Sequence, residues 1–89
     1  MPRYFFHTAD HVRDRDVEGT MCSDLAEARR HAIRFAGAIV NDEPELLAEG
    51  RDFRVDVTDG EDRLLFSIIM LTVNTTAAEM PREQRRENG

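Results

Sequence analysis

The chain has no lysine: all twelve of its cations are arginine. That pattern fits a GC-rich bacterial genome better than any functional demand. It has a single cysteine, Cys22, so an internal disulfide is excluded and a reducing cytoplasm is expected. No apolar run approaches the roughly 18 residues of a membrane span; "LLFSIIMLTV" is too short, and no membrane partner is expected. The N-terminus lacks the charged, apolar and small-residue zones of a signal peptide. Catalytic signatures are missing too. There is no glycine-rich phosphate loop and no Ser-His-Asp arrangement that can be placed. A small filled core leaves little room for a substrate pocket. The expectation is a non-enzyme without cofactor.

Eighty-nine residues allow one domain. A hydrophobic share of 40% is enough for a globular core. The net charge is −6. From residue 77 onward Glu79, Glu83 and Glu87 balance Arg82, Arg85 and Arg86, so the folded part carries the whole excess. An acidic domain repels phosphate backbones, which disfavours nucleic acid as a partner.

Tyr4, Phe5 and Phe6 are half of all the aromatic residues and stand almost at the first residue. Residues 3–8 read as a strand, with Tyr4 and Phe6 on one face and Phe5 and His7 on the other. "ADHVRDRD" reads as a polar connection. "VEGTMC" reads as a weak second strand in which Gly19 marks a bulge. "SDLAEARRHAIRFAGAIVND" is a helix, capped by Asp24 with Glu27 completing a capping box, or by Ser23. Leu25, Ala28, Ala32, Phe35, Ala36 and Ile39 form its apolar stripe. A close helix–sheet approach is the expected reason for Gly37. Pro44 is expected to end or kink the helix near Asn41 and to open a short helical turn closed by Gly50.

"RDFRVDVTD" alternates: Phe53, Val55 and Val57 inward, Arg54, Asp56 and Thr58 on a wet face. "DGED" supplies a hairpin, with glycine for the tight turn. "RLLFSIIMLTV" is a last strand, apolar on both faces apart from Ser67. The order β-β-α-β-β predicts an α+β fold: a four-stranded, mainly antiparallel sheet with one long helix on one face. Residues 1–74 form the domain and 75–89 a mobile polar tail. Phe6→Ala or Phe66→Ala should come close to unfolding so small a core.

The opening "PRYFFH", the "D-x-EG" at Asp16–Gly19, the "DLAEAR" at Asp24–Arg29 and the hairpin "VTDGEDRLL" together carry a likeness. The chain resembles the short alphaproteobacterial proteins grouped as a domain of unknown function, many of which open with MPRYFFH. The resemblance covers roughly residues 1–73. It implies a small bacterial α+β domain and no assigned activity, so it supplies no catalytic residue. In the hairpin the family pattern sets glycine just before the arginine, whereas here the glycine is Gly60.

Each cluster with chemical potential has a plainer reading. His7, Asp10 and His11 are of metal-ligand type, with Cys22 and His31 as further candidates. On a strand end and a loop, however, their spacing does not bring the rings together. "DRDVEG" at 14–19 imitates a calcium loop, but its twelfth position is Leu25 instead of a bidentate glutamate. No metal is expected. Cys22 precedes a helix N-terminus, which favours thiolate, yet His31 is about two turns further on and a structural cysteine is the simpler assignment. Arg29, Arg30 and Arg34 form a basic patch beside Asp24 and Glu27, best read as a solvated helix face.

One helix covers one sheet face. Period two puts Phe5, Leu65, Ile69 and Leu71 on the other, as an exposed apolar patch of the kind that marks an interface. The expected function is therefore an interaction module that self-associates through its sheet as a homodimer, or binds an unknown protein. The alternative is an antitoxin-like or regulatory small protein.

Overall fold

A computed structural model describes residues 2–10, 13–48 and 50–75. His11 and the tail from residue 76 lie outside the described residues. The strands are β1 (Arg3–Ala9), β2 (Arg13–Asp14), β3 (Thr20–Met21), β4 (Asp52–Thr58) and β5 (Leu64–Leu71). The helix α1 spans Leu25–Asp42, and a 3-10 turn follows at Pro44–Leu47. The α+β class is as expected: one helix packs on a sheet whose strands pair antiparallel. The order is β-β-β-α-β-β, because the second strand comes in two pieces.

Those pieces correct two expectations. "VEGTMC" contributes only Thr20 and Met21, and Arg13–Asp14, read as a polar connection, is paired. β2 sets Asp14 opposite Thr8, and β3 sets Thr20 opposite Tyr4. Residues 15–19 therefore face Phe5–His7 as an outward bulge. Main-chain pairing at a sheet edge needs no apolar side chain, so hydrophobic patterning did not reveal β2. Gly19, with φ of 73°, stands where the bulge rejoins the ladder.

The sheet order is β2-β1-β4-β5, with β3 also on β1. β1 and β4 are central, which is how a strand so near the chain start holds three aromatics. Tyr4 and Phe6 are buried with Phe53, Val55 and Val57 beneath the helix, and Phe66, Ile68 and Met70 pack on them from β5.

The helix begins as its local motif dictates. Asp24 caps it by accepting the Glu27 N–H at 2.8 Å. The Glu27 carboxylate reaches back to the backbone N–H of Ser23, which closes the box one residue earlier than the standard form. That N–H holds the Glu27 carboxyl below its ordinary range.

Ala28, Ala32 and Ala36, spaced by four, are fully buried. Their small side chains let the helix lie close on the sheet. Gly37 plays no part in that approach: a Cβ built there meets nothing within 4 Å. Leu25, expected on the stripe, is 42% exposed, so the buried stripe starts at Ala28. Pro44 opens the 3-10 turn, and the helix closes with the Glu43 N–H donating to the Ile39 carbonyl at 3.0 Å.

The β4–β5 hairpin turns differently from expectation. Its left-handed residue is Asp62, with φ of 64°, and not Gly60. The Asp59 carboxylate organises the turn, accepting N–H groups of Glu61 and Arg63 and the Arg63 guanidinium. The Arg63 N–H and the other donors hold the Asp59 carboxyl below its ordinary range despite the opposing effect of desolvation. Asp62 immediately precedes Arg63, and aspartate is among the few residues that tolerate this conformation.

Candidate functional site

Two surfaces hold the residues singled out from the sequence. The first is the edge of β1. Phe6 turns its N–H away from β4, and opposite it the bulge removes the neighbouring strand. Asp16 Oδ2 accepts that N–H at 3.1 Å. Asp16 Oδ1 accepts the N–H groups of Glu18 (3.1 Å) and Gly19 (3.0 Å). One carboxylate thus substitutes for a missing stretch of strand. Burial pushes the Asp16 carboxyl up, but the donors from Gly19, Phe6 and Glu18 together outweigh it and leave it below its ordinary value.

The same loop fixes His7, which is only 4% exposed. Nδ1 accepts the Asp16 backbone N–H at 3.0 Å. That acceptor role places the ring hydrogen on Nε2, which donates to Thr58 Oγ1 at 2.9 Å. Phe5 stacks on the imidazole with the planes 5° apart. Both ring nitrogens are thus engaged in architecture. A cleft of about 240 Å³ lies above, between Arg15–Val17 and the hairpin at Asp59–Asp62. Arg15 spans its mouth to Asp62 at 2.7 Å.

Beside His7 a polar row crosses the sheet face away from the helix. Asp56, opposite both His7 and Ser67, is 6% exposed. Ser67 Oγ donates to Asp56 Oδ1 at 2.6 Å, and Arg13 reaches Oδ2 at 3.3 Å. Arg54 Nε lies 3.0 Å from Oδ1 without the alignment of a hydrogen bond. Residues expected on a wet face, Asp56 and Thr58, are therefore buried: the arginine stems and the 15–19 bulge cover them. Sequence patterning missed this network, because alternation tells inward from outward and not what folds over the outward side.

The second surface is β5. Leu65, Ile69 and Leu71 stand together on it, 39%, 55% and 56% exposed. Phe5 lies two strands away, half-buried under Gly19, with Thr58 and the polar row between. The four candidate interface residues thus fall as three on β5 and a separate, half-buried phenylalanine on β1.

A model of one family, described as Domain of unknown function (DUF6894), matches residues 3–72. The chain belongs to that family. No curated protein and no solved structure matches the chain. Two of the stretches that carry the likeness to domain-of-unknown-function proteins, "PRYFFH" and the "D-x-EG" at Asp16–Gly19, touch one another in this DUF6894 domain. Arg3 from "PRYFFH" donates to the Glu18 carbonyl at 2.7 Å. Phe6 and His7 hold Asp16, and Gly19 sits against Arg3, Tyr4 and Phe5.

The remaining candidates are accounted for locally. Cys22 is 2% exposed, and burial pushes its thiol up, with Glu27 and Asp24 adding to the effect. This opposes activation by the helix N-terminus. His31 lines a groove of about 480 Å³ between α1 and the bulge, its ring edge-on to Phe6 at 4.6 Å and stacked on Phe35 at 6.3 Å. Arg29 lies 5.0 Å over the Phe66 ring, a cation–π contact that ties the basic patch to the fold. The oxygens of Asp16 in the calcium-loop imitation accept the backbone N–H groups of Phe6, Glu18 and Gly19. Among the described residues no group of three or more His, Cys, Asp or Glu could hold a metal ion, and no helix is long and apolar enough to cross a membrane.

Proposed function

We propose that this DUF6894 domain is a non-enzymatic interaction module that self-associates through its sheet. The observation that carries the reading is the β5 strip: Ile69 and Leu71 are more than half exposed on a strand that no charge interrupts. Each such side chain left in water forfeits roughly 1–2 kcal/mol. A symmetric dimer is the commonest way to cover a surface of this kind. The arginine-only cations and the single buried cysteine support a bacterial cytoplasmic setting.

Light scattering after gel filtration tests the reading. A dimer mass at high micromolar concentration is expected, falling toward monomer on dilution. Ile69→Glu should give a folded monomer throughout. A monomer mass for the natural chain at high micromolar concentration would overturn self-association. A stoichiometric complex with a different protein, the natural chain itself staying monomeric, would favour the antitoxin-like or regulatory alternative.

A further inference from the structure

We infer that two copies join edge to edge, β5 against β5 in antiparallel pairing, to make one continuous sheet across a closed dimer. This rests on the self-association proposed above and specifies its geometry.

The direction of the main-chain groups follows from one hydrogen bond. In an antiparallel ladder each residue turns its N–H and C=O to one side, and successive residues alternate. Phe6 points away from β4, because its N–H goes to Asp16. Phe5, His7 and Ala9 therefore face β4, and their partners Thr58, Asp56 and Arg54 face β1. Phe53, Val55 and Val57 then face β5, where they meet Met70, Ile68 and Phe66. Ser67, Ile69 and Leu71 are left with N–H and C=O aimed outward. Among the described residues, no strand pairs with that side. The open edge thus offers a row of main-chain donors and acceptors, and a strand satisfies such a row best.

The occupant is a second copy, since the same outward row on two copies is self-complementary in antiparallel pairing, and charge directs the contact to this strand. The chain carries −6 overall, so most contacts between copies would set acid against acid. Leu64–Leu71 contains no charged residue. A two-fold axis at Ile68 sets Ser67 of one copy opposite Ile69 of the other and overlaps nearly the whole strand.

The face away from the helix is a poorer contact. The row of His7, Asp56 and Ser67 with Arg13 and Arg54 crosses it, and the bulge at 15–19 rises over its end. The assembly also stops at two. The far edge of each copy is the interrupted β2/β3 edge, so the joined sheet ends on both sides in a strand that cannot extend it.

Amide hydrogen exchange on the full chain, read by NMR at a concentration where light scattering gives a dimer, tests the pairing. The amides of Ser67, Ile69 and Leu71 should be protected at high concentration and lose protection at least tenfold on dilution to monomer. Ile69→Pro removes one outward N–H and leaves the β4 ladder intact. It should give a monomer with the natural circular dichroism spectrum. A dimer in which those three amides exchange as freely as in the monomer would overturn edge pairing and leave self-association standing. So would an Ile69→Pro chain that stays dimeric while Leu71→Glu becomes monomeric: the contact would then be the face. A natural chain that is monomeric at high micromolar concentration would remove both readings.

Discussion

The two edges of this sheet are built on opposite principles. On one, the strand beside β1 is broken into β2 and β3, two residues each, and a five-residue bulge stands between them. The Asp16 carboxylate takes the Phe6 N–H that the break exposes, and Arg13, Asp14, Arg15 and Glu18 set charge along the rim. On the other edge β5 runs eight residues without a charge. An exposed, long, apolar edge strand invites another strand, and charge, bulges and short segments deter one. The first edge uses all three deterrents. The second has only one irregularity, a register shift opposite Val57 and Thr58. Among the described residues the sheet thus has both a closed and an open edge, and this contrast is the ground on which contact between copies is proposed at β5.

The largest way to break the contrast is at Gly19. An added Cβ would lie 2.9 Å from the Tyr4 carbonyl oxygen, a backbone atom, and 2.8–2.9 Å from Arg3 Cγ and Phe5 Cε2. The residue is also left-handed, with φ of 73°. Gly19→Ala should therefore destabilise the domain by about 2–3 kcal/mol, through strain and clash together. Chemical denaturation measures it. A loss under about 0.5 kcal/mol would show that the bulge gives way easily and that the guarded edge is not rigid.

Asp16 is next. Its folded carboxyl lies below its ordinary value of 3.8. A depressed carboxylate stabilises the fold above its unfolded pKa, and that contribution is lost as pH falls through the folded value. The loss should thus begin near pH 4 and deepen below it. Asp16→Asn keeps the size but turns an N–H donor toward donors. It should cost about 1–2 kcal/mol at neutral pH, the lower part of the range for charged hydrogen bonds because the group is partly exposed. Denaturation curves from pH 7 to pH 3 should converge for the two proteins. Curves that stay parallel would mean another carboxylate carries the acid sensitivity.

How far the sequence foretold this depends on whether the signal was local. The Asp24–Glu27 cap was legible because its partners lie within one helical turn. The faces of β5 were legible from Phe66 to Leu71 because period two needs no knowledge of neighbours, so Ile69 and Leu71 fall on one side. At Leu64 and Leu65 the register shift beside Val57 and Thr58 breaks that period. Strand order is not local, and Phe5 was grouped with the β5 residues although β4 intervenes. The Asp16 clasp was hidden for the same reason: its partners, Phe6 and His7, lie nine or ten residues earlier. "DRDVEG" looked like a failed metal loop, whereas its aspartate serves backbone donors. Asp62 was hidden because Gly60, the evident turn residue, does not take the left-handed position.

The smallest expected effect is the most discriminating. Ile69→Lys places a charge in the middle of the open edge. In the monomer its side chain is already 55% exposed, so the monomer's stability should change by no more than about 0.5 kcal/mol. Charge on an edge strand is the deterrent that β2 and its flanks already carry. The substitution should make the β5 edge behave like the β2/β3 edge, and dimer mass should disappear at concentrations where the natural chain is paired. The two measurements must be read together. Unchanged denaturation in dilute solution with lost association shows that β5 is apolar for contact between copies. A loss of 2 kcal/mol or more in the dilute monomer would show that Ile69 packs within its own domain, and the contrast between the edges would then lie in folding, not in assembly.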